Sequence, residues 1–102
     1  MSKKKSEYIG WGFVKDIIRE YSEITAHSCR LKPFQADAVK QAVDETKSFV
    51  DGTERLKLID LVFWKQTHTL AGAACECNVS YDLAVIWHRD FIKAVGRNMN
   101  IF

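Results

Sequence analysis

Apolar residues recur every three or four positions along much of the chain, which is the spacing that places side chains on one face of an α-helix. The first such run extends from Trp11 to about Tyr21. Its apolar residues are Val14, Ile17, Ile18 and Tyr21. Residues 22–32 have no clean period, so a loop is expected there. Because no stretch alternates apolar and polar residues between turn dipeptides, the pattern predicts an all-α fold of about five helices.

Pro33 is expected to open the second helix, since proline is well tolerated at the first helical position. Gly52 is expected to end this helix in the left-handed conformation that glycine adopts readily. The apolar side of the helix is formed by Ala36, Val39, Val43 and Val50.

The second half of the chain predicts three further helices. Thr53 is the expected N-cap of the third helix, whose apolar stripe is Leu56, Ile59, Val62 and Phe63. A short run of small residues follows, with Thr69 as its expected N-cap and Asn78 suited to a tight turn. The last helix is predicted from Ser80 to about Arg97.

The last two predicted helices have the pattern of a helix-turn-helix unit, in which two short helices cross closely and only alanine or glycine fits at the contact. Ala74 occupies this position, six residues before Ser80. The other inward positions of the unit are Leu70, Cys77, Val79, Ala84 and Trp87. We expect an amino-terminal helical segment, 1–52, and a DNA-binding helix-turn-helix unit, 53–102, packed together as one domain.

Composition supports a single small domain without a membrane span. The chain has 102 residues, of which 47% are hydrophobic, enough for one modest core. No apolar run approaches the ~18 residues of a membrane helix, and no secretory signal follows the basic start. Three cysteines, an odd number, favour free thiols over a disulfide framework. We therefore expect a cytoplasmic protein.

The formal net charge of +2 permits nucleic-acid binding without arguing for it. The basic residues cluster only in the tail 1–7, at Lys3, Lys4 and Lys5. This tail is either a solvated terminus or an arm that touches phosphate.

A metal site would need paired ligands on one helix face. Cys75 and Cys77 lie two residues apart, about 200° around a helix axis, so their thiols point to nearly opposite sides. Adding His68 and His88 still leaves no such pair. We expect Cys77 to be a small core residue, Cys75 to be a surface thiol, and the protein to bind no metal.

Signs of catalysis are also weak. Cys29 lies two residues from His27, but no third orienting group and no oxyanion donor is evident. There is no glycine-rich phosphate loop and no isolated acidic pair. The sequence therefore indicates neither an enzyme nor a cofactor.

The segment 54–98, about half of the chain, carries a set of motifs. An aromatic pair, Phe63 and Trp64, precedes the last two predicted helices. The pair is followed by the motifs HTLxGAA at 68–74, NVS at 78–80 and WHxDFI at 87–92. This set resembles the carboxy-terminal domain of phage-encoded late-gene transcription regulators of the RinA/ArpU type, whose reader is similar to region 4 of a bacterial sigma factor.

The resemblance implies sequence-specific binding of double-stranded promoter DNA beside host RNA polymerase, in the cytoplasm and nucleoid of a bacterial host, to activate late genes of a phage or prophage. The residues that it assigns to DNA contacts are Thr67, Thr69, Ser80, Tyr81, Asp82, Val85, Arg89, Lys93 and Arg97. Those at 67 and 69 would bind phosphate, and those from 80 to 85 would face the major groove. The basic residues at 89, 93 and 97 would bind phosphate or a guanine edge. Trp87 and Phe91 would hold the helix to the core.

An alternative function follows from five consecutive apolar residues, 83–87, because a helix cannot bury all of them against one neighbour. Some of Leu83, Val85 and Ile86 must face another part of the chain, a partner subunit or thymine methyl groups. The chain would then be an interaction module without DNA readout, either a homodimer or a binder of a host protein. Trp11 and Trp64 would support such a surface.

Overall fold

The computed structural model describes residues 10–24 and 31–102 of the chain. Within these ranges it contains helices and no strand, which confirms the predicted all-α fold. The five helices are α1 (Trp11–Ile24), α2 (Pro33–Lys47), α3 (Gly52–Ile59), α4 (Leu70–Cys77) and α5 (Tyr81–Asn98), and a π-helical turn (Asp60–Trp64) continues α3. The predictions for the basic tail and for His27 and Cys29 concern residues outside the described ranges.

The long helix α5 forms the centre of the packing, since it contacts all four other helices. Its inward residues recur at three- and four-residue intervals and are at most 4% exposed. They are Ala84, Trp87, Phe91, Ile92 and Val95. The predicted boundary between the two segments lies at Gly52, the residue that begins α3. Helix α2 packs across this boundary on both α3 and α5. In the described part of the chain, no helix is both long enough and apolar enough to cross a membrane.

The first helix buries the face that its period predicted. Val14, Ile17 and Ile18 are 0%, 4% and 0% exposed, and Tyr21 is half-buried against the core. The helix continues to Ile24, so the predicted loop begins three residues late.

The expected extent of the second helix is wrong at its carboxyl end. The helix stops at Lys47, because Ser48 turns the chain: its hydroxyl donates to the Glu45 carbonyl at 2.6 Å. The amide of Phe49 then donates to the carbonyl of Thr46 at 3.1 Å. Val50, expected on the apolar side, therefore lies in the turn and is fully exposed.

The expected role of Gly52 is also wrong. No described glycine has a positive φ, and Gly52 is the buried first residue of α3 instead of the end of α2. A glycine is required there because a Cβ atom would collide with the carbonyl oxygen of Thr46. Thr53 is consequently inside the helix, and Asp51 takes the N-cap position. The Asp51 carboxylate makes no capping bond and pairs with Nε of Arg55 at 2.9 Å.

The π-helical turn after α3 was not predicted. Its mark is a hydrogen bond from the amide of Lys65 to the carbonyl of Asp60, five residues earlier, at 2.7 Å. The turn carries the aromatic pair into the interior. Phe63 is 1% exposed, and Nε1 of Trp64 donates to the carbonyl of Ile18 in α1 at 2.7 Å.

Two glycine-to-alanine variants should shift stability in opposite directions. Gly52→Ala should lower the free energy of unfolding by about 1–3 kcal/mol, because the new methyl group has no room against the backbone at Thr46. Gly12→Ala should raise it by about 0.5–1 kcal/mol, because Gly12 lies in α1 with no atom within 4 Å of the new methyl group. Urea denaturation of both variants measures the difference. Equal effects would contradict the close approach at Gly52.

Candidate nucleic-acid interface

Helices α4 and α5 form the corner at which the sequence predicted a DNA reader. Oγ1 of Thr69 accepts a hydrogen bond from the amide of Gly72 at 3.1 Å and caps α4. Oγ of Ser80 accepts from the amide of Leu83 at 3.1 Å and caps α5. Between the helices, Asn78 adopts a left-handed conformation with φ of 63°. The predicted cap Thr69 and the predicted turn at Asn78 are confirmed, and Ser80, where the last helix was predicted to begin, is its N-cap.

Small side chains occupy the contact between these two helices. Ala73, Ala74 and Ala84 are 0%, 3% and 0% exposed, and α4 packs directly on α5. Trp87, one turn after Ala84, is 4% exposed. The remaining residues that were predicted to point inward are half-buried against the core: Leu70, Cys77 and Val79. The expected inward positions therefore all contribute to packing.

The first two turns of α5 present apolar side chains to solvent. Tyr81, Leu83 and Ile86 are 55%, 38% and 44% exposed, Val85 is half-buried, and Asp82 is exposed. These exposures confirm that the helix cannot bury all of its five consecutive apolar residues. The front of the helix is therefore mainly apolar, with one acidic group.

A basic stripe continues along the outer side of the same helix. Arg89 and Arg97 are exposed and Lys93 is half-buried, at four-residue spacing. None of the three forms an ion pair with a residue in the described ranges. Their charges are therefore free of carboxylate partners there and could bind phosphate or a guanine edge.

Of the nine residues assigned to DNA, seven lie on α5 or at its N-cap, and two precede α4. Thr67 and Thr69 are both exposed. The hydroxyl oxygen of Thr69 already accepts from the amide of Gly72, so this amide is not free for phosphate. Oγ1 of Thr67 lies 2.8 Å from Nδ1 of His68. The groups that remain available to bind an anion are the threonine hydroxyl groups and the earlier amides of α4.

Arg55, which sequence reasoning did not select, contacts the flank of α5 beside the basic stripe. Its Nη1 lies 3.6 Å from Oδ2 of Asp90, and its guanidinium lies 4.6 Å from the ring centroid of Phe49 and 5.7 Å from that of Trp87. The four-residue spacing from Asp51 was the one available signal for a paired arginine. The contact with Asp90 depends on tertiary packing.

A cavity of about 170 Å³ lies beside this cluster. Arg55, Trp87 and Asp90 line it, together with Arg97 and with Glu45 from α2. Arg97 therefore lies near two carboxyl groups, whereas Arg89 and Lys93 are not part of the lining. Nε1 of Trp87 is buried and has no hydrogen-bond partner among the described atoms.

The two cysteines of α4 have different environments. Cys75 is exposed and Cys77 is half-buried against the core, so Cys75 is a surface thiol as expected and Cys77 a partly buried one. Burial raises the pKa of the Cys77 thiol. In the described ranges no three histidine, cysteine or acidic side chains are grouped so that they could hold a metal ion.

His88, in α5, stacks on Phe63 of the aromatic pair. Its ring centroid lies 5.2 Å from that of Phe63, with the two planes 4° apart. Burial, and then the positive charges of Lys15 and Arg19, lower the pKa of His88 from 6.5 to about 4. The imidazole is therefore neutral at physiological pH and acts as a flat packing surface.

Comparison of the chain with protein-family models, with curated proteins and with solved structures gives no match in any of the three. The functional assignment therefore depends on the residues and geometry of the helix-turn-helix corner and on the resemblance in its motifs.

Stability should fall as the pH is lowered from about 6.5 to about 4, partly because of His88. The folded pKa lies below the unfolded one, so the unfolded chain binds more protons in this window and gains free energy relative to the folded chain. The contribution is complete above the unfolded pKa and is lost as the pH falls through the folded pKa. Urea denaturation, followed by tryptophan fluorescence at several pH values, measures it.

The variant His88→Phe keeps a ring beside Phe63 and should show a shallower dependence on pH. His68→Gln is the matched control, because His68 precedes α4 and contacts Thr67 and Glu76, outside the stack. Parallel curves for the wild type and His88→Phe would contradict the lowered pKa.

Proposed function

We propose that this protein binds double-stranded DNA in a sequence-specific manner and inserts the front of α5 into the major groove. The observation that carries the proposal is the outer side of α5. Its first turns are exposed, and its basic stripe has no carboxylate partner in the described ranges. A helix held to the core by Trp87 and Phe91 and open on the other side has the arrangement that helix-turn-helix readers use.

The residue roles follow from position on the corner. Thr67 and Thr69 bind backbone phosphate beside the amino end of α4. Ser80, Tyr81 and Asp82 face the groove together with the next turn, which contains Val85. Arg89 reaches a base edge or a phosphate one turn further along.

The two remaining cations, Lys93 and Arg97, bind phosphate. Arg97 does so from the edge of the cavity, near Glu45 and Asp90, so its contribution should be smaller than that of Lys93.

The biological context of the proposal comes from the motif resemblance. In that context the DNA is a late-gene promoter of a phage or prophage, the partner is host RNA polymerase in the bacterial cytoplasm, and the effect is activation. Homodimer formation is part of the same proposal, because helix-turn-helix proteins often bind paired half-sites.

A second candidate function is an interaction module without DNA readout. The exposed fractions of Leu83 and Ile86, 38% and 44%, favour it, because apolar side chains on a helix front are typical of protein contact surfaces. The net charge of only +2 is compatible with either function.

Selection from a pool of random duplex DNA at about 50 and about 200 mM salt, with sequencing of the retained molecules, tests the proposal. We expect an enriched motif and an affinity that falls steeply with salt, because phosphate contacts release counterions. The symmetry and half-site spacing of the motif would show whether a dimer binds. A pool that stays random at both salt concentrations would contradict DNA readout.

Arg89→Ala should weaken binding to the selected duplex by about tenfold, the usual cost of a lost arginine contact. Lys40→Ala is the matched control, because Lys40 is an exposed cation on α2, which packs against α1, α3 and α5 but not α4. It should change the affinity by less than about twofold. Equal losses in both variants would indicate general electrostatic attraction. Loss of self-association or of a protein partner in Ile86→Asp, without any DNA binding by the wild type, would support the interaction module.

A further inference from the structure

The groove-facing side of α5 contains few hydrogen-bonding groups. Tyr81 and Ile86 are 55% and 44% exposed, and Val85 beside them is half-buried. The hydroxyl oxygen of Ser80 already accepts a bond from the amide of Leu83. Among the first three turns, Asp82 and Arg89 are the ionic groups on this side, with Asp90 at its edge, and the surface between Asp82 and Arg89 is apolar.

The spacing along the helix places these groups in a line. Asp82, Ile86 and Arg89 follow one another at intervals of four and three residues, which keeps them on one stripe. Lys93 continues the stripe one turn later. Leu83 lies beside Ile86, three residues earlier, on the flank of the stripe toward Trp87 and Asp90.

Only one base offers an apolar group in the major groove. The 5-methyl group of thymine is that group, whereas the groove edges of guanine, cytosine and adenine are hydrogen-bond donors and acceptors. Packing Ile86 or Val85 against a polar edge would remove water from it without replacing the lost hydrogen bonds. An apolar helix front in the groove is therefore complementary to thymine.

The charges on the stripe favour DNA over a second copy of the chain as the occupant of this surface. Arg89, Lys93 and Arg97 outnumber the acids Asp82 and Asp90, of which Asp90 is paired with Arg55, and none of the three cations is paired with a described carboxylate. Duplex DNA supplies both an apolar methyl group within the groove and phosphate at its edges.

We infer that Val85 and Ile86 recognise thymine 5-methyl groups, with Arg89 on an adjacent guanine or phosphate. The inference rests on the proposed DNA-binding function and adds the base class that the reader selects. The binding site should contain thymines at the positions that face the second turn of α5.

Replacement of each thymine by uracil in the selected duplex tests the inference, because uracil lacks only the methyl group and keeps the same hydrogen-bonding edge. Each contacted thymine should lose about fourfold in affinity when its methyl group is removed, as expected for one buried methyl-sized group. Replacement of a thymine outside the contact should leave the affinity unchanged. Fluorescence anisotropy at fixed salt measures the ratio.

The variant Ile86→Ala should reduce the ratio of thymine to uracil affinity toward one while the phosphate contacts remain. Phe34→Ala is the matched control, because Phe34 is 56% exposed at the start of α2, which does not pack on α4, and it should keep the wild-type ratio. Thermal unfolding by circular dichroism should show that both variants are folded.

Specific DNA binding that is indifferent to uracil, or that selects a motif without thymine, would overturn the methyl contact and leave the DNA-binding function standing. Failure to bind any DNA would overturn the proposed function, and this inference with it. A change of oligomeric state in Ile86→Ala, with an unchanged ratio of thymine to uracil affinity, would assign the surface to a second copy of the chain.

Discussion

The hydrogen bond from the indole of Trp64 to the carbonyl of Ile18 fixes α1 against the π-helical turn. It spans 2.7 Å and joins residues 46 positions apart. The same indole packs edge-on against Phe91 of α5, with ring centroids 6.2 Å apart and planes at 87°. One side chain thus connects α1 with the helix that would enter the groove. The position of α1 relative to α5 therefore depends on the orientation of the Trp64 side chain.

The π-helical turn sets the orientation of the Trp64 side chain. An additional residue in the turn rotates the following side chains relative to a regular α-helix, and isolated π turns are less stable than α-helical ones. Here the rotation lets Phe63 stack on His88 while Trp64 reaches Ile18. These contacts offset the cost of the irregular turn. His88 can fill this place only as a neutral ring, because its buried position beside Lys15 and Arg19 disfavours a third positive charge.

Local signals made the corner predictable. Thr69 and Asn78 act within three or four residues of themselves, and the fold reproduces both predicted roles. Ser80, predicted as the start of the last helix, is its N-cap. Counting consecutive apolar residues on α5 was also sufficient to predict an exposed front. Gly52 was misjudged because the reason for a glycine there is the Thr46 carbonyl, a tertiary contact and not a turn. The π turn, and the cavity that Arg97 shares with α2, likewise depend on packing between helices.

The proposed base readout would require a rigid helix, since the energy of ordering a mobile one would be subtracted from base discrimination. Helix α5 meets this requirement from two sides. Its inner side is buried along most of its length. On its flank, Asp90 contacts Arg55, whose guanidinium also lies over the ring of Trp87. Nε1 of Trp87 is buried without a partner among the described atoms, a cost that the packing of the indole ring offsets. With the backbone so held, selectivity among DNA sequences would depend on the few exposed side chains in front.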